Sequence, residues 1–266
     1  MKTAKKAIVI LLALVMVASI FTSCSKSGTT LASVKKKGKL SIATSPDFPP
    51  FESLTDSTKV EGIEIDILQL ICDKLGVTLE INQMDFDSVL PGVQAGKFDV
   101  GVSGISITEK RKKNVLFTDP YCLAAQAIVV TESSPIKSKA DLEGKKVSVQ
   151  TGTTAESYTM ENGYSVSSFA ANSDAETALT SVKVDAWVID DLTAAEMVKA
   201  YNETASEKLV VLDDPMTTEP YAFAFALGSD DLVKEINTIL NGLVKDGTVA
   251  AIFEKYDAPY TSPETK

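Results

Sequence analysis

The residues with the clearest chemical potential lie close together between Val100 and Arg111. An apolar strand pattern ends at Gly104, Ser106 and Thr108 follow, and Arg111 comes three residues after Thr108. Thr108 fits an N-cap, because a short hydroxyl side chain accepts from the unpaired amides of a first helical turn. Such amides and the positive end of a helix attract an anion, and a guanidinium is a planar fork matched to a carboxylate. The stretch therefore predicts a site for a carboxylate.

Arg111 is the only arginine among the 26 basic residues of the chain, so general charge supply does not explain its presence. The alternative is a surface arginine within the basic run from Lys110 to Lys113. The residues by themselves leave both interpretations open.

Composition excludes several classes of function. The formal net charge is −10, and a predicted leader with three lysines and no acids leaves −13 on the mature chain, which argues against a nucleic-acid partner. The chain has no histidine, which excludes Ser-His and Cys-His nucleophiles and histidine-ligated zinc. We therefore expect no metal and no cofactor. Beyond Cys24, only Cys72 and Cys122 remain, and we expect them to be buried thiols rather than a disulfide.

The N-terminus has the pattern of a secretory signal. Lysines precede an apolar run from Ala7 to Ala18, which is too short for a membrane span of about 20 residues. Thr22 and Ser23 stand directly before Cys24, as at a lipoprotein signal-peptidase site, although Phe21 replaces the usual leucine. We expect Cys24 to be lipidated; ordinary secretion is the alternative.

The elements that must position these residues occur in two similar laps. Residues 144–152 echo residues 38–45, and residues 183–190 echo residues 97–103. A short amphipathic helix precedes each second segment, and a capping box from Ser173 to Glu176 is expected to open the later one. Two strand-helix-strand-helix-strand units predict two α/β lobes, each with a largely parallel sheet.

A C-terminal block has no counterpart in the first lap, so we expect it to cross back and pack on the first lobe. Two crossovers are then expected, near residues 124–130 and 217–221, and they would hinge the lobes about a cleft. In open α/β sheets, ligands bind at the carboxyl ends of strands. Ser45, Ser103, Thr151 and Asp190 all follow predicted strands.

Taken in order, seven motifs resemble one family, the extracytoplasmic amino-acid-binding proteins of ABC importers (solute-binding family 3). They are SPDFPPFE (45–52), GIEID (62–66), QAGKFD (94–99), SITEKR (106–111), FTDPY (117–121), TGTT (151–154) and EPY (219–221). The resemblance implies an α/β, periplasmic-binding-protein-like fold of type II, with two lobes and a two-strand hinge. The segments expected are 1–23 as signal peptide, 24–38 as lipid-anchor linker, 39–125 and 219–260 as lobe 1, 126–218 as lobe 2, and 261–266 as tail.

The resemblance also implies roles for individual residues. Arg111 would bind the α-carboxylate of an amino acid, with the amides of Ser106 and Thr154. Asp190 would bind the α-ammonium, assisted by the Gly104 carbonyl and the Ser106 hydroxyl. The remaining candidates are Phe48, which would cover the ligand side chain, Thr153, which caps a helix and faces the carboxylate, and Ser45, Ser103 and Tyr121. Tyr121 fits cleft lining and hinge packing equally well.

One departure from the family bears on the ligand. Several binders of basic amino acids have an acidic residue where this chain has Ser45, and the side chain of Asp47 should point elsewhere. A basic ligand needs a buried counter-charge, so we expect a neutral polar amino acid.

The function implied is that of a membrane-anchored, extracytoplasmic, monomeric receptor that delivers a free amino acid to an ABC permease. Two alternatives remain, which are an enzyme like the cyclohexadienyl dehydratases of similar fold and a ligand-sensing domain. The absence of histidine and of a second arginine disfavours the enzyme.

Overall fold

The computed structural model describes residues 28–55 and 58–263. The predicted signal peptide, the lipidation site at Cys24, the start of the linker and the end of the tail lie outside the described residues. The helices of the described part are α1 (Leu31–Lys37), α2 (Ile63–Leu75), α3 (Phe86–Gln94), α4 (Glu109–Lys112), α5 (Thr154–Glu161), α6 (Asn172–Thr180), α7 (Asp191–Thr204), α8 (Asp230–Lys245) and α9 (Thr248–Lys255). None of these helices is long and apolar enough to cross a membrane.

The strands of the first lobe's sheet are β1 (Lys39–Thr44), β5 (Thr78–Gln83), β6 (Val100–Gly101), β7 (Val115–Phe117) and β15 (Ala224–Ala226). Their order is β5-β1-β6-β15-β7. Strand β1 is parallel to β5 and β6, and β15 is antiparallel to β6 and β7. Four strands therefore run in one direction and β15 alone opposes them.

The second lobe repeats this pattern. Its strands are β9 (Gln126–Thr131), β10 (Lys146–Gln150), β11 (Ser165–Phe169), β12 (Ala186–Asp190) and β13 (Leu209–Val211). The order is β11-β10-β12-β9-β13, with β9 antiparallel to both of its neighbours. The predicted pair of mostly parallel sheets is confirmed, and the opposed strand in each is the one by which the chain enters the sheet from the other lobe.

Apolar periodicity explains the helices that cover the first sheet. In α2, Leu68, Ile71 and Leu75 fall at helical spacing and are buried, while Gly76 ends the helix in the left-handed conformation with φ of 71°. The C-terminal helices α8 and α9 both pack on α2, so the C-terminal block crosses back to the first lobe as expected.

Two antiparallel strands, β8 (Cys122–Ala124) and β14 (Glu219–Tyr221), join the lobes. The chain leaves the first sheet through β8, which is followed directly by β9, and returns through β14, which leads into β15. This pair is the predicted two-strand hinge.

Cys72 and Cys122, the two cysteines of the described residues, are buried free thiols, as expected. Burial raises the pKa of Cys72 to about 12.

Two expectations about local structure were wrong. The apolar strand pattern that ends at Gly104 forms only the two-residue strand β6. The capping box does not form, because α6 begins at Asn172 and Ser173 lies inside it. The amide of Asn172 donates instead to the Asp47 carboxylate at 2.8 Å, so a side chain of the other lobe satisfies this helix start.

Asp47 therefore ties the two lobes together. Its carboxylate also accepts from the side-chain amide of Gln150 at 3.1 Å, and the side-chain amide of Asn172 donates to Oε1 of Gln150 at 3.1 Å. The sequence predicted that the Asp47 side chain points away from the ligand, and here it points across the cleft onto the second lobe.

Replacing Asp47 by alanine should loosen the contact between the lobes, because each lost hydrogen bond contributes about 0.5–1.5 kcal/mol. We expect a larger radius of gyration for the unliganded variant in small-angle scattering. The control is Asp119→Ala, which removes an aspartate–asparagine hydrogen bond to Asn241 within the first lobe. Identical scattering curves for Asp47→Ala and the wild type would contradict the assignment.

Candidate functional site

A cavity lies between the lobes at the carboxyl ends of their strands. Eight of the ten predicted ligand-binding residues line it, namely Phe48, Ser103, Gly104, Ser106, Arg111, Thr153, Thr154 and Asp190, and Phe86 and Gln150 complete the lining. The volume open to the centre of a water molecule is about 10 Å³, which is roughly the space of one water. Entry of an amino acid therefore requires the lobes to part.

A larger groove adjoins this cavity and shares Phe86, Arg111, Thr153 and Thr154 with it. Measured in the same way, the groove holds about 650 Å³. It runs between α3 and α5 toward the hinge, where Glu219 lines it. The cavity and the groove therefore meet at these four residues, and Arg111 is the charged one among them.

Arg111 is held by backbone carbonyls rather than by acids. The Thr108 hydroxyl accepts from the Arg111 amide at 3.1 Å, which confirms the predicted N-cap of α4. The guanidinium donates to the Ser106 carbonyl at 2.9 Å and to the Gly152 carbonyl of the second lobe at 3.1 Å. It also lies 5.7 Å from the centre of the Phe86 ring, within cation–π range. Removal from water lowers its pKa, against the charges of nearby acids.

Asp190 ends β12 and presents a carboxyl without a full set of partners. Its Oδ1 atom is buried and has no hydrogen-bond partner. Burial, reinforced by the charge of Glu219, raises the pKa of Asp190 to about 8. The Tyr221 hydroxyl acts in the opposite direction, although its oxygen and Oδ1 do not meet in regular hydrogen-bond geometry. An unpaired buried acceptor in a cavity is a place for a ligand's donor.

The two opposite charges do not neutralise each other. Among the described residues, no carboxylate lies within 4 Å of Arg111, and Asp190 makes no ion pair. Glu219 is buried near both groups, and its Oε1 accepts from the Thr217 hydroxyl at 2.7 Å. The site can thus accept a small molecule that carries both a carboxylate and a cation.

The helix start of the second lobe contributes amides to the same cavity. Thr153 caps α5, because its hydroxyl accepts from the Glu156 amide at 3.1 Å and donates to the Gln150 carbonyl at 2.7 Å. Thr154 is the first residue of α5, and first-turn amides have no partner inside a helix. The two threonines therefore form one wall, with the cap made by Thr153.

The first-lobe wall depends on a glycine. Gly104 has a φ of +51°, and a Cβ there would lie 2.4 Å from the Phe48 ring. The aromatic side chain predicted to cover the ligand consequently packs directly on the turn that carries Ser103 and Gly104.

Two predicted residues lie outside the lining of this cavity. Ser45 stands behind it, where its amide donates to the Ser103 hydroxyl at 3.2 Å and its hydroxyl to Asp47 at 2.8 Å. Tyr121 is fully buried and stacks on Phe223, with ring centres 5.2 Å apart, and its hydroxyl donates to Glu64 at 2.6 Å. Of the two roles left open for Tyr121, the structure places it in packing beside the hinge.

Two residues that line the cavity and one that lines the groove were missed from sequence. Phe86 is the first residue of α3, shortly after β5, a position at which an aromatic side chain could have been singled out. Gln150 ends β10, the equivalent in the second lobe of the strand that ends before Ser45. Glu219 belongs to a motif noted above but received no role. No cluster of three or more cysteine or acidic groups suited to a metal ion occurs in residues 28–55 and 58–263.

Two α/β lobes, a two-strand hinge and a cleft with opposite charges define the class of periplasmic-type solute-binding proteins. Residues 40–258 match the model of the bacterial extracellular solute-binding proteins, family 3, and the chain belongs to that family. The L-cystine-binding protein TcyJ of Escherichia coli K12 is 28% identical over 95% of both chains.

Solved structures agree in fold with this assignment. An ArgBP mutant from T. maritima has a TM-score of 0.80 and 36% identity, covering 86% of this chain and 99% of that one. The ancestral amino-acid-binding protein AncCDT-1, a precursor of cyclohexadienyl dehydratase, has a TM-score of 0.78 and 35% identity, covering 86% and 99%. Both proteins are named as binding proteins, and AncCDT-1 is described as the precursor of an enzyme.

Binding of an ammonium group should release a proton from Asp190. The unliganded carboxyl, with its pKa of about 8, is mostly protonated at neutral pH, and a bound cation favours the ionised form. Because the bound state holds fewer protons, affinity should rise with pH up to about 8 and then level off. Calorimetry in buffers of different ionisation enthalpy measures the release. The Asp190→Asn variant should bind weakly and release no proton. Proton release equal to that of the wild type would refute the role of Asp190 as the group that binds the ammonium.

Proposed function

We propose that the chain is the substrate-binding component of an ABC importer and that it captures a free amino acid between its lobes. One observation carries the proposal: the Asp190 carboxyl has a buried, unpaired oxygen in a cavity that Arg111 lines from the other lobe. A zwitterion supplies the missing partner of each group. Membership in the solute-binding family and the names of the relatives support the same class of ligand.

In the proposed binding mode, the α-carboxylate takes the guanidinium of Arg111 and the first-turn amides of α5. The α-ammonium takes Asp190, the Gly104 carbonyl and the Ser106 hydroxyl. Phe48 and Phe86 enclose the ligand side chain. Because Arg111 belongs to one lobe and Asp190 to the other, the ligand stabilises the state in which the lobes are closed.

A neutral polar ligand is the proposed preference. The carboxylate of Asp47 already accepts from three donors, which are the Ser45 hydroxyl, the Gln150 amide and the Asn172 amide. It is therefore not free to pair with a basic ligand side chain, whereas the Gln150 side chain lines the cavity and offers neutral hydrogen-bonding groups. Relatives are named as arginine-binding and cystine-binding proteins, so the preference has to be measured directly.

The proposal extends to location and partners. A lipid on Cys24 would anchor the protein to the outer face of the cell membrane, with residues 24–38 as linker, and a permease would receive the ligand from a monomer. Residues 39–125 and 219–260 would form one lobe and residues 126–218 the other. Mass spectrometry of the mature N-terminus tests the anchor.

Arg111→Ala should lower affinity for the amino acid by about 2–5 kcal/mol, because the substitution removes one partner of a desolvated charge pair. Isothermal calorimetry gives the value. Lys113→Ala, at an exposed lysine two residues further along the chain, is the matched control and should bind normally. A loss of less than tenfold for Arg111→Ala would count against the proposal.

The ligand itself is identified by a thermal-shift screen of the twenty amino acids and cystine. A ligand far above its dissociation constant stabilises the folded state by mass action. We expect the largest shift with a neutral polar amino acid, and a larger shift with arginine would overturn that preference. Prephenate and arogenate are added because a relative precedes a dehydratase, and product formation from either would favour the enzyme instead.

A further inference from the structure

Two buried glutamates meet behind the first-lobe wall of the cavity. Glu52 belongs to the short strand β3 (Glu52–Thr55) and Glu64 to the first turn of α2, and both are 0% exposed. Within the described residues, no lysine nitrogen and no guanidinium nitrogen lies within 4 Å of either carboxyl. An ionised carboxylate is costly to bury without a cation, so the protonation state of these two glutamates needs an explanation.

Each glutamate accepts from a residue of the turn that forms the cavity wall. The Ser103 hydroxyl donates to Glu52 Oε1 at 2.8 Å, and the Gly104 amide donates to Glu64 Oε2 at 2.9 Å. Glu64 Oε1 also accepts from the Tyr121 hydroxyl at 2.6 Å. The position of the Ser103–Gly104 turn is therefore set by these two carboxyls.

The pattern of donors assigns one proton to the pair. Glu52 Oε2 is buried and has no donor, and the two carboxyl groups are close enough to interact electrostatically. Two ionised carboxylates at that separation repel, whereas one proton between them satisfies both. Glu64 is the ionised member, because it accepts from two protein donors near the positive end of α2. Glu52 is the protonated member and donates to it.

Backbone contacts hold the two glutamates in this arrangement. The Ile63 amide donates to the Pro50 carbonyl at 2.9 Å and the Glu64 amide to the Phe51 carbonyl at 3.1 Å. At Gly62, a Cβ would lie 2.1 Å from the Phe51 oxygen, so only glycine allows this approach. The start of α2 is thus bound to the segment that leads into Glu52.

We propose that Glu52 and Glu64 are positioning residues for the ligand cavity: by sharing one proton, they hold the Ser103–Gly104 turn where Gly104 and Ser106 meet the ligand's ammonium group. This inference rests on the proposed function for its ligand, while the shared proton stands on the contacts of the two glutamates alone.

Other ionisable groups around the pair favour the same state. Burial and the charge of Glu64 raise the pKa of Glu52 well above its usual value, and the charge of Asp47 acts in the same direction. Tyr121 and Cys122 face Glu64, and burial raises the pKa of both, so they stay neutral. If Glu52 were ionised as well, the two carboxylates would repel each other and displace the turn.

The first test compares ligand affinity at neutral pH for Glu52→Gln and Glu64→Gln, with L-glutamine as probe and L-arginine if glutamine does not bind. Glu52→Gln keeps a neutral donor toward Glu64, so it should bind like the wild type. Glu64→Gln removes an acceptor that buried donors need and should lose roughly tenfold or more in affinity at neutral pH. Glu143→Gln, at an exposed position of the second lobe, should match the wild type throughout.

The second test needs no ligand and holds if Glu64→Gln fails to fold. Infrared difference spectra at neutral pH should show the carbonyl band of a buried protonated carboxyl that Glu52→Gln removes and that Glu143→Gln and Asp190→Asn leave in place. A spectrum unchanged by Glu52→Gln overturns the inference, as does equal loss of affinity in both glutamine variants at neutral pH. An Arg111→Ala variant that binds normally would instead defeat the proposed function and leave the infrared result standing.

Discussion

The site depends on two desolvated charges that the protein keeps apart. Arg111 is bound by the carbonyls of Ser106 and Gly152, and Asp190 has an acceptor atom with no partner. Direct pairing of the two would lower their energy and close the site to any ligand. Each group loses water on burial, and in the proposed binding mode a molecule that carries both charges compensates that loss. Selectivity for a zwitterion and the tendency to close around it therefore have one physical origin.

The two charges lie apart because each side chain is positioned by the end of a different strand, one in each lobe. Asp190 ends β12 in the second lobe, whereas Arg111 lies in the one-turn helix α4, close after β6 in the first. The connection between lobes consists of β8 and β14, whose short pairing leaves the lobes few covalent constraints. Relative movement of the lobes then changes the distance between the charges. It keeps the hydrogen bond from Arg111 to Ser106 within the first lobe and breaks the one to Gly152 in the second lobe.

Much of this arrangement is predictable from sequence, and the failures share a cause. Local patterns predicted the N-cap at Thr108 and the two laps of strands, because neighbours in the chain determine these features. The resemblance to a family supplied Asp190, which a pair of adjacent acids would not have indicated by itself. The capping box at Ser173 failed because Asp47, distant in sequence, satisfies the start of α6. Glu52 and Glu64 were likewise invisible as a pair, since eleven intervening residues separate two acids that resemble solvated ones.

Asp47 shows why such long-range contacts decide more than local structure. From the sequence, its carboxylate was a possible counter-charge for a basic ligand, and only its expected direction argued otherwise. In the fold it accepts from both Gln150 and Asn172, so an approaching cation would have to compete with donors that are already in place. Gln150 in turn is oriented by Asp47 and Asn172, which leaves a neutral amide at the wall of the cavity. A single acidic side chain that contacts the opposite lobe thus removes a charge from the cavity and strengthens its closure, and the two effects have to change together in any relative that replaces it.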